Sequence, residues 1–274
     1  MNRLHLANRA HILHLLCEGS SLRVASRIAD VSINTVTKLL VDTGTACAEY
    51  QDKTLRNLTC KRLQLDEVWS FVYAKAKNVR DAKSAPEIAS DVWTWTALDA
   101  DTKLMASWMV GDRSDATAGV FVDDLASRLA NRVQITTDGH RPYVEAIEGA
   151  FGADVDYAVL EKIYASAAEG QKRYSPPACV GAKRREVTGQ PDQDNISTSD
   201  VERANLTMRI GMRRFTRLTN AFSKRVENHT HSISLFAMHY NFARIHKTLR
   251  ITPTMAAGIS DHVWSMEEIA RLSN

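Results

Sequence analysis

The sequence predicts a mixed α/β fold: a helical N-terminal part, a core in the order βββ-α-β-α-β, and a helical C-terminal segment. Three observations predict it. Residues 4–44 carry apolar residues at helical spacing, and from residue 62 the pattern changes to short runs rich in Val, Phe, Tyr and Trp. Helical periodicity then returns at Ser199 and continues, with breaks, to about Arg250.

In chain order, Leu6, His11, Ile12, Leu15 and Leu16 mark a helix over 4–18, which Gly19 stops. Leu22, Ala25, Ile28 and Ala29 form the apolar face of a second helix. Ile33, Val36, Leu39 and Leu40 form that of a third, with Ser32 as N-cap and Gly44 as its stop. Two short helices joined by about three residues, with another before them, make a helix-turn-helix pattern. RLQLDEVWSFVYAK and VWTWTALDA read as strands, Asp101-Thr102-Lys103 as a turn and LMASWMVGD as a third strand, together an antiparallel meander. A helix follows from Ser114 to Leu129 with Val120, Phe121 and Leu125 inward, then the strand RVQITTDG, a helix from Arg141 to Phe151 and the strand VDYAVLEKIYA. Residues 165–198 show no periodicity and hold three of the six prolines, so they read as a long loop or insertion. The organisation expected is residues 1–60 as a helix-turn-helix domain, 61–258 as a second, larger domain and 259–274 as a tail.

The 274 residues are 44% hydrophobic and 24% charged, which excludes a mainly disordered chain, a collagen-like fibre and a coiled-coil rod. No apolar run is long enough for a transmembrane helix, and the first ten residues lack a secretory h-region. The four cysteines are scattered without a C-x-x-C pair, which disfavours a disulfide framework and fits a reducing, cytoplasmic setting. Net charge is only +3, but it is unevenly placed: +4 over residues 1–62, −8 over 63–170 and +7 over 171–225. Basic flanks imply a polyanionic partner.

Three acidic residues stand out by position. Asp66 lies inside the first strand among apolar neighbours, where an unpaired charge is costly. Asp138 lies just past a strand's C-terminal end, where α/β folds place their sites. Glu202 opens a helix after the Gly- and Pro-containing stretch. Each also has a bland reading: a solvated strand face, an Asp-Gly turn, and a capping box of Ser199 with Glu202. Strand alternation puts Glu67 on the opposite face from Asp66, so at most one of them is expected in a given site. Residues 203–226 contain Arg203, Arg209, Arg213, Arg214, Arg217, Lys224 and Arg225 and no acid. Arg209, Arg213 and Arg217 recur every four residues, a stripe suited to phosphate, and Arg209 shares a helical face with Glu202. His229, His231, His239 and His246 match no metal-ligand spacing and read as core or solvent-facing residues. Trp69, Trp93, Trp95 and Trp108 read as core.

The motifs LDEVWSF around Asp66, TTDGHRPY around Asp138 and SDVERANLTMRIGMRRFTRLTNAFSKRVENH around Glu202, with the tail HYNFARIHKTLRITPTMAAG, resemble the ribonuclease H-like core of DDE transposases and retroviral integrases. The sequence is closer still to transposases of bacterial insertion sequences, of the insertion-sequence-one type, over about residues 10–258. Two departures stand out: there is no zinc-binding cysteine spacing near the N-terminus, and Asp30 occupies the turn where a helix-turn-helix usually has Gly.

The resemblance implies a catalytic and metal-binding triad of Asp66, Asp138 and Glu202, with Asp66 bridging two Mg²⁺ ions (Mn²⁺ as a substitute) about 3.5–4 Å apart. Magnesium is a hard ion that prefers carboxylate oxygen, which accounts for the residue types. The resemblance also implies DNA as partner, a homodimer or larger synaptic assembly, and a nucleoid-associated location in the bacterial cytoplasm. Ser32, Asn34, Thr35 and Lys38, early in the second helix of the helix-turn-helix pair, are the expected DNA-reading positions; Arg209, Arg213 and Arg217 are the expected phosphate contacts. The alternatives are a sequence-specific DNA-binding regulator, or a nuclease of the same fold without strand transfer.

Overall fold

The computed structural model describes residues 4–86, 89–165, 178–215 and 221–274. Among them, six strands form one sheet in the order β3-β2-β1-β4-β5-β6. The strands are β1 Arg62–Val72, β2 Ser90–Asp99, β3 Met105–Gly111, β4 Val133–Thr137, β5 Val155–Tyr164 and β6 Cys179–Thr188. The first three pair antiparallel, β4 runs parallel to β1, β5 parallel to β4, and β6 antiparallel to β5. The βββαβαβ order expected from the sequence is present, and the sheet is compatible with a ribonuclease H-like fold.

One strand was not expected. The stretch 165–198, read as a loop, contains β6. That strand lies at the sheet edge, is exposed along most of its length, and carries Lys183, Arg184, Arg185 and Glu186. With no buried face it has no period-2 pattern, and charge on an edge strand blocks pairing with other chains.

Helices cover both faces of the sheet. On one face, α4 (Asp115–Arg128) and α5 (Pro142–Phe151) pack Phe121 and Tyr143 around Trp95 of β2. Ser114 caps α4 as expected, its hydroxyl accepting from the Thr117 amide, but Val120 points to solvent; Ala118 and Val122 complete the buried face instead. On the other face, α6 (Ser199–Gly211) and α7 (Val226–Met238) set Val201, Ala204, Met208, Ile233 and Phe236 against Val68 of β1 and Leu98 of β2. A π-helical turn over His239–Ala243 extends α7. Short helices α8 (Pro253–Ala256) and α9 (Met266–Arg271) follow.

The N-terminal helices are α1 (Leu6–Cys17), α2 (Leu22–Ile28) and α3 (Ile33–Thr54). The turn between α2 and α3 uses Asp30 at φ 50°, a left-handed conformation that Asp tolerates better than most residues. Ile28 and Ile33, expected on apolar faces, are exposed on either side of that turn. Gly44 is not a stop: α3 runs straight through it for 22 residues. A Cβ on Gly44 would lie 2.6 Å from that of His231, so the glycine lets α3 and α7 cross at backbone contact. Ser234 of α7 donates its hydroxyl to the Gly44 carbonyl at 2.6 Å across this crossing. Among the described residues no helix is long and apolar enough to cross a membrane.

Candidate functional site

The site lies where β4 stops and β1 continues. Parallel pairing between them ends at Leu65 and Thr137, so the edge of β1 beside Asp66 and Glu67 is open. Asp138, the next residue after β4, falls into that opening. Its Oδ1 accepts from the His140 amide at 2.9 Å, which ties the turn that aims the carboxylate.

Asp66 points to the α6 face. Its Oδ2 accepts from Asn205 Nδ2 at 2.8 Å, and Asn205 is itself held by the Thr96 hydroxyl at 3.0 Å. Two residues before Asp66 on the same face, Gln64 Oε1 accepts from the amides of Asp200 and Val201 at 2.9 and 3.0 Å. Gln64 thereby supplies the N-terminal cap that α6 lacks from its own residues, and it anchors the start of α6 to β1. Glu202, on the first turn, is brought into the same cleft as Asp66 and Asp138.

Glu202 is not part of a capping box. The N-cap of α6 is Thr198, and neither Ser199 nor Thr198 caps the helix through its side chain. Instead the Thr198 hydroxyl donates to Glu202 Oε1 at 2.6 Å, and Lys162 of β5 forms an ion pair with the same oxygen.

Glu67 corrects an expectation. It does lie on the face opposite Asp66, buried beside Trp95, yet ligand oxygens of Asp66, Glu67 and Asp138 all fall within 4.8 Å of one another. The open edge is the physical reason: with no β4 residue alongside, side chains from both faces reach the same gap. Arg113 donates to Glu67 Oε1 at 3.0 Å, and His140 Nε2 lies 3.4 Å from that oxygen.

Crowding of these acids shows in their ionisation. Burial pushes Asp66 up to about 6, and the charges of Asp138 and Glu202 add to the shift against the opposing Asn205 hydrogen bond. Burial, followed by the charge of Asp138, pushes Glu67 up to about 7 despite Arg113. An all-oxygen donor set whose charges repel one another fits a hard divalent cation, which would relieve the repulsion. Asp66, Asp138 and Glu202 open together onto a cleft of about 1180 Å³ whose rim carries Lys162, Arg203 and Arg209.

The arginine stripe expected over 209–217 does not form as one helix face. α6 ends at Gly211, and Arg213 sits in a separate 3₁₀ turn over Arg213–Phe215. Gly211 is where α6 meets other elements closely, since a Cβ there would lie 3.3 Å from the Phe236 ring and 3.5 Å from the Cys17 carbonyl. Arg209 remains at the cleft that Asp66, Asp138 and Glu202 line, Arg213 lines a different one, and Arg217 lies outside the described residues.

At the other expected site, Ser32 caps α3 by accepting from the Thr35 amide at 3.1 Å, and the Ser32 and Thr35 hydroxyls are 2.9 Å apart. Asn34 and Lys38 are exposed, with Lys38 paired to Asp42 at 2.7 Å. The residues that sequence reasoning missed are Gln64, Lys162, Thr198 and Asn205. Gln64 and Asn205 had a detectable signal, since they share the faces of Asp66 and Glu202 at strand and helix spacing; Lys162 and Thr198 had none.

No protein-family model matches the chain, and no curated protein matches it. Among solved structures, a cryo-EM structure of piggyBac transposase, a synaptic complex with hairpin DNA, is similar at 11% sequence identity and a TM-score of 0.40, over 98% of this chain and 69% of that one.

Proposed function

We propose that this chain is a DDE transposase of an insertion sequence: it binds the element's ends, cleaves DNA phosphodiester bonds and joins the 3′-hydroxyl ends to target DNA. The carrying observation is the convergence of Asp66, Asp138 and Glu202 from β1, the end of β4 and α6 on one open cleft with a cationic rim. These three carboxylates would hold Mg²⁺, or Mn²⁺ in its place. The bound ions supply charge neutralisation at the attacking and leaving oxygens of an in-line displacement. The chain's own residues do the positioning. Asn205 orients Asp66, the His140 amide fixes Asp138, and Thr198 holds Glu202. Lys162 balances the charge of Glu202. Arg203 and Arg209 meet the phosphates that approach the acids. The protein works as a homodimer or larger synaptic assembly in the bacterial cytoplasm.

The test uses purified protein, end-containing duplex, pre-cleaved ends and Mg²⁺. Cleavage with joining supports the proposal. Cleavage without joining favours the nuclease reading, and end binding without either favours the regulator. The third carboxylate is tested in the same assay. Glu67 is shielded from solvent, whereas Glu202 is half-buried and opens onto the cleft. Glu202→Gln should therefore abolish cleavage and Glu67→Gln should spare most of it; the reverse pattern would make the ligand set Asp66, Glu67 and Asp138.

End recognition is assigned to a helix-turn-helix within residues 1–60, with α3 in the major groove and Ser32, Asn34, Thr35 and Lys38 at its leading end. Loss of a good base contact costs about 1–3 kcal/mol. Asn34→Ala should lower discrimination between element ends and random duplex by that amount, while Arg23→Ala or Arg27→Ala should weaken binding to both equally. Unchanged discrimination in Asn34→Ala, Thr35→Ala and Lys38→Ala alike, measured by competition binding, would move recognition elsewhere in the chain.

A further inference from the structure

A second cleft, of about 890 Å³, lies between the α1–α3 helices and the far end of α6. Four cationic side chains line it: Arg23 from α2, and Arg213, Arg214 and Lys224 from the chain between α6 and α7. Among the described residues no Asp or Glu lines it. Elsewhere Arg62 pairs with Asp101, Arg113 with Glu67, and Arg128 with Asp124 and Asp52.

Arg214 is the centre of the argument. Its only hydrogen bond among the described residues goes to the Ser223 hydroxyl, at 2.7 Å, and among them no carboxylate pairs with it. Residues 216–220 contain no acid either. Burial with nothing to offset it pushes the guanidinium down to about 10. Ser223 is also hydrogen-bonded to His229 Nδ1 at 3.0 Å, and His229 Nε2 to Ser70 of β1 at 3.1 Å. The Ser223 amide–carbonyl unit is fixed as well, its carbonyl accepting from the Tyr73 amide at 2.8 Å. Arg214 is thus held rigidly by a relay rooted in the sheet, while its charge is left without a counter-ion. A half-buried charge without a counter-ion favours an anion beside it, and a rigid planar fork is the group best matched to phosphate.

We infer that this acid-free cleft is a second phosphate-binding site for the DNA backbone, separate from the catalytic cleft and joined to it by α6. The inference rests on the DNA-processing reading above. From Glu202 to Met212 the helix advances about 15 Å, at about 1.5 Å per residue. That is about four base-pair rises of about 3.4 Å. The cleft therefore takes backbone phosphates displaced along α6 from the scissile bond, on the side toward α2 and α3, and couples the grip of the N-terminal helices to the placement of DNA over the acids.

The experiment is a salt titration of the full chain binding a random-sequence 30-base-pair duplex, by fluorescence anisotropy in chelator, where no cleavage intervenes. Arg23→Ala with Lys224→Ala should lower the salt slope by about two units, since each lost phosphate contact removes about one. Both residues are exposed, so this double variant stays folded even where Arg214→Ala does not. Arg214→Lys should recover more affinity than Arg214→Met at low salt. A slope equal to wild type in the double variant, with an unchanged circular dichroism melt, overturns the inference. Inorganic phosphate at constant ionic strength is the second arm. If it protects Arg214 from phenylglyoxal while the DNA slope is unchanged by the variants, the site takes a small free anion and the DNA assignment is overturned. Failure of the transposase reading is distinguishable: it appears as absent cleavage in Mg²⁺ with the difference in slopes intact.

Discussion

Asp66→Asn and Asp138→Asn should each reduce Mg²⁺-dependent cleavage and strand transfer by at least about 10³-fold while leaving duplex binding in chelator intact. Metal charge stabilisation is worth several kcal/mol, and about 4 kcal/mol is about 10³ in rate. The substitution is chosen to keep shape. An amide oxygen at position 66 still accepts from Asn205, so the loss reads charge and not packing. Stability gives an independent readout. In wild-type protein, Mg²⁺ at about 100 times its Kd should stabilise the fold by about 2.7 kcal/mol. Asp66→Asn should lose most of that gain, and it should be no less stable than wild type in chelator, because it removes one of three clustered negative charges. Near-wild-type cleavage by Asp66→Asn, or cleavage by wild-type protein in chelator, would sink the metal mechanism; a wild-type melting temperature that ignores Mg²⁺ would place the metal elsewhere.

The parts of this architecture that were legible in the sequence are those whose residues have one buried side. β1, β2 and β5 carry Val, Leu, Trp and Tyr into a core, so their runs stand out, and α4 shows its cap at Ser114 and its core residues Phe121 and Leu125. β6 had no such signature because both its faces meet solvent. Gly44 misled for a related reason. Glycine signals either a helix end or a close approach, and only the position of His231, 187 residues further on, decides between them. The site was legible where position alone is informative, as for Asp66 within a strand and Asp138 at a strand end. It was illegible where two elements share an opening. Alternation assigned Glu67 to the other face correctly, but the early stop of β4 at Thr137 makes both faces reach one gap, and strand length is a tertiary property. The arginine stripe is broken because α6 ends at Gly211, between Arg209 and Arg213, and the two line different clefts.

His229→Gln should cost stability at pH 7.5, and that cost should shrink by about 2 kcal/mol on going to pH 5. His229 is fully buried between the Ser70 and Ser223 hydroxyls, and burial, with Arg214 nearby, pushes it down to about 3. The unfolded chain takes up a proton at its ordinary value near 6.5, and the native chain does not do so until far lower pH. Between those values the unfolded state binds more protons, so the contribution of His229 is complete above about pH 6.5 and falls as the pH drops. At pH 5 the gap of about 1.5 units below 6.5 amounts to about 2 kcal/mol. His239, pushed down to about 4 by burial, against Glu18 and with Arg244 and His14 adding to the shift, works in the same direction. Wild-type stability alone would hide the effect. Asp66 and Glu67 are shifted upward, so the native state holds their protons better than the unfolded one, and acidification stabilises the fold through them. Taking the difference between wild type and His229→Gln cancels both acids, because neither contacts His229. Urea midpoints at pH 7.5 and 5.0 for the two proteins give that difference. A cost that is equal at both values would mean that His229 accepts a proton in place, and that the relay holding Arg214 carries a positive charge at its centre.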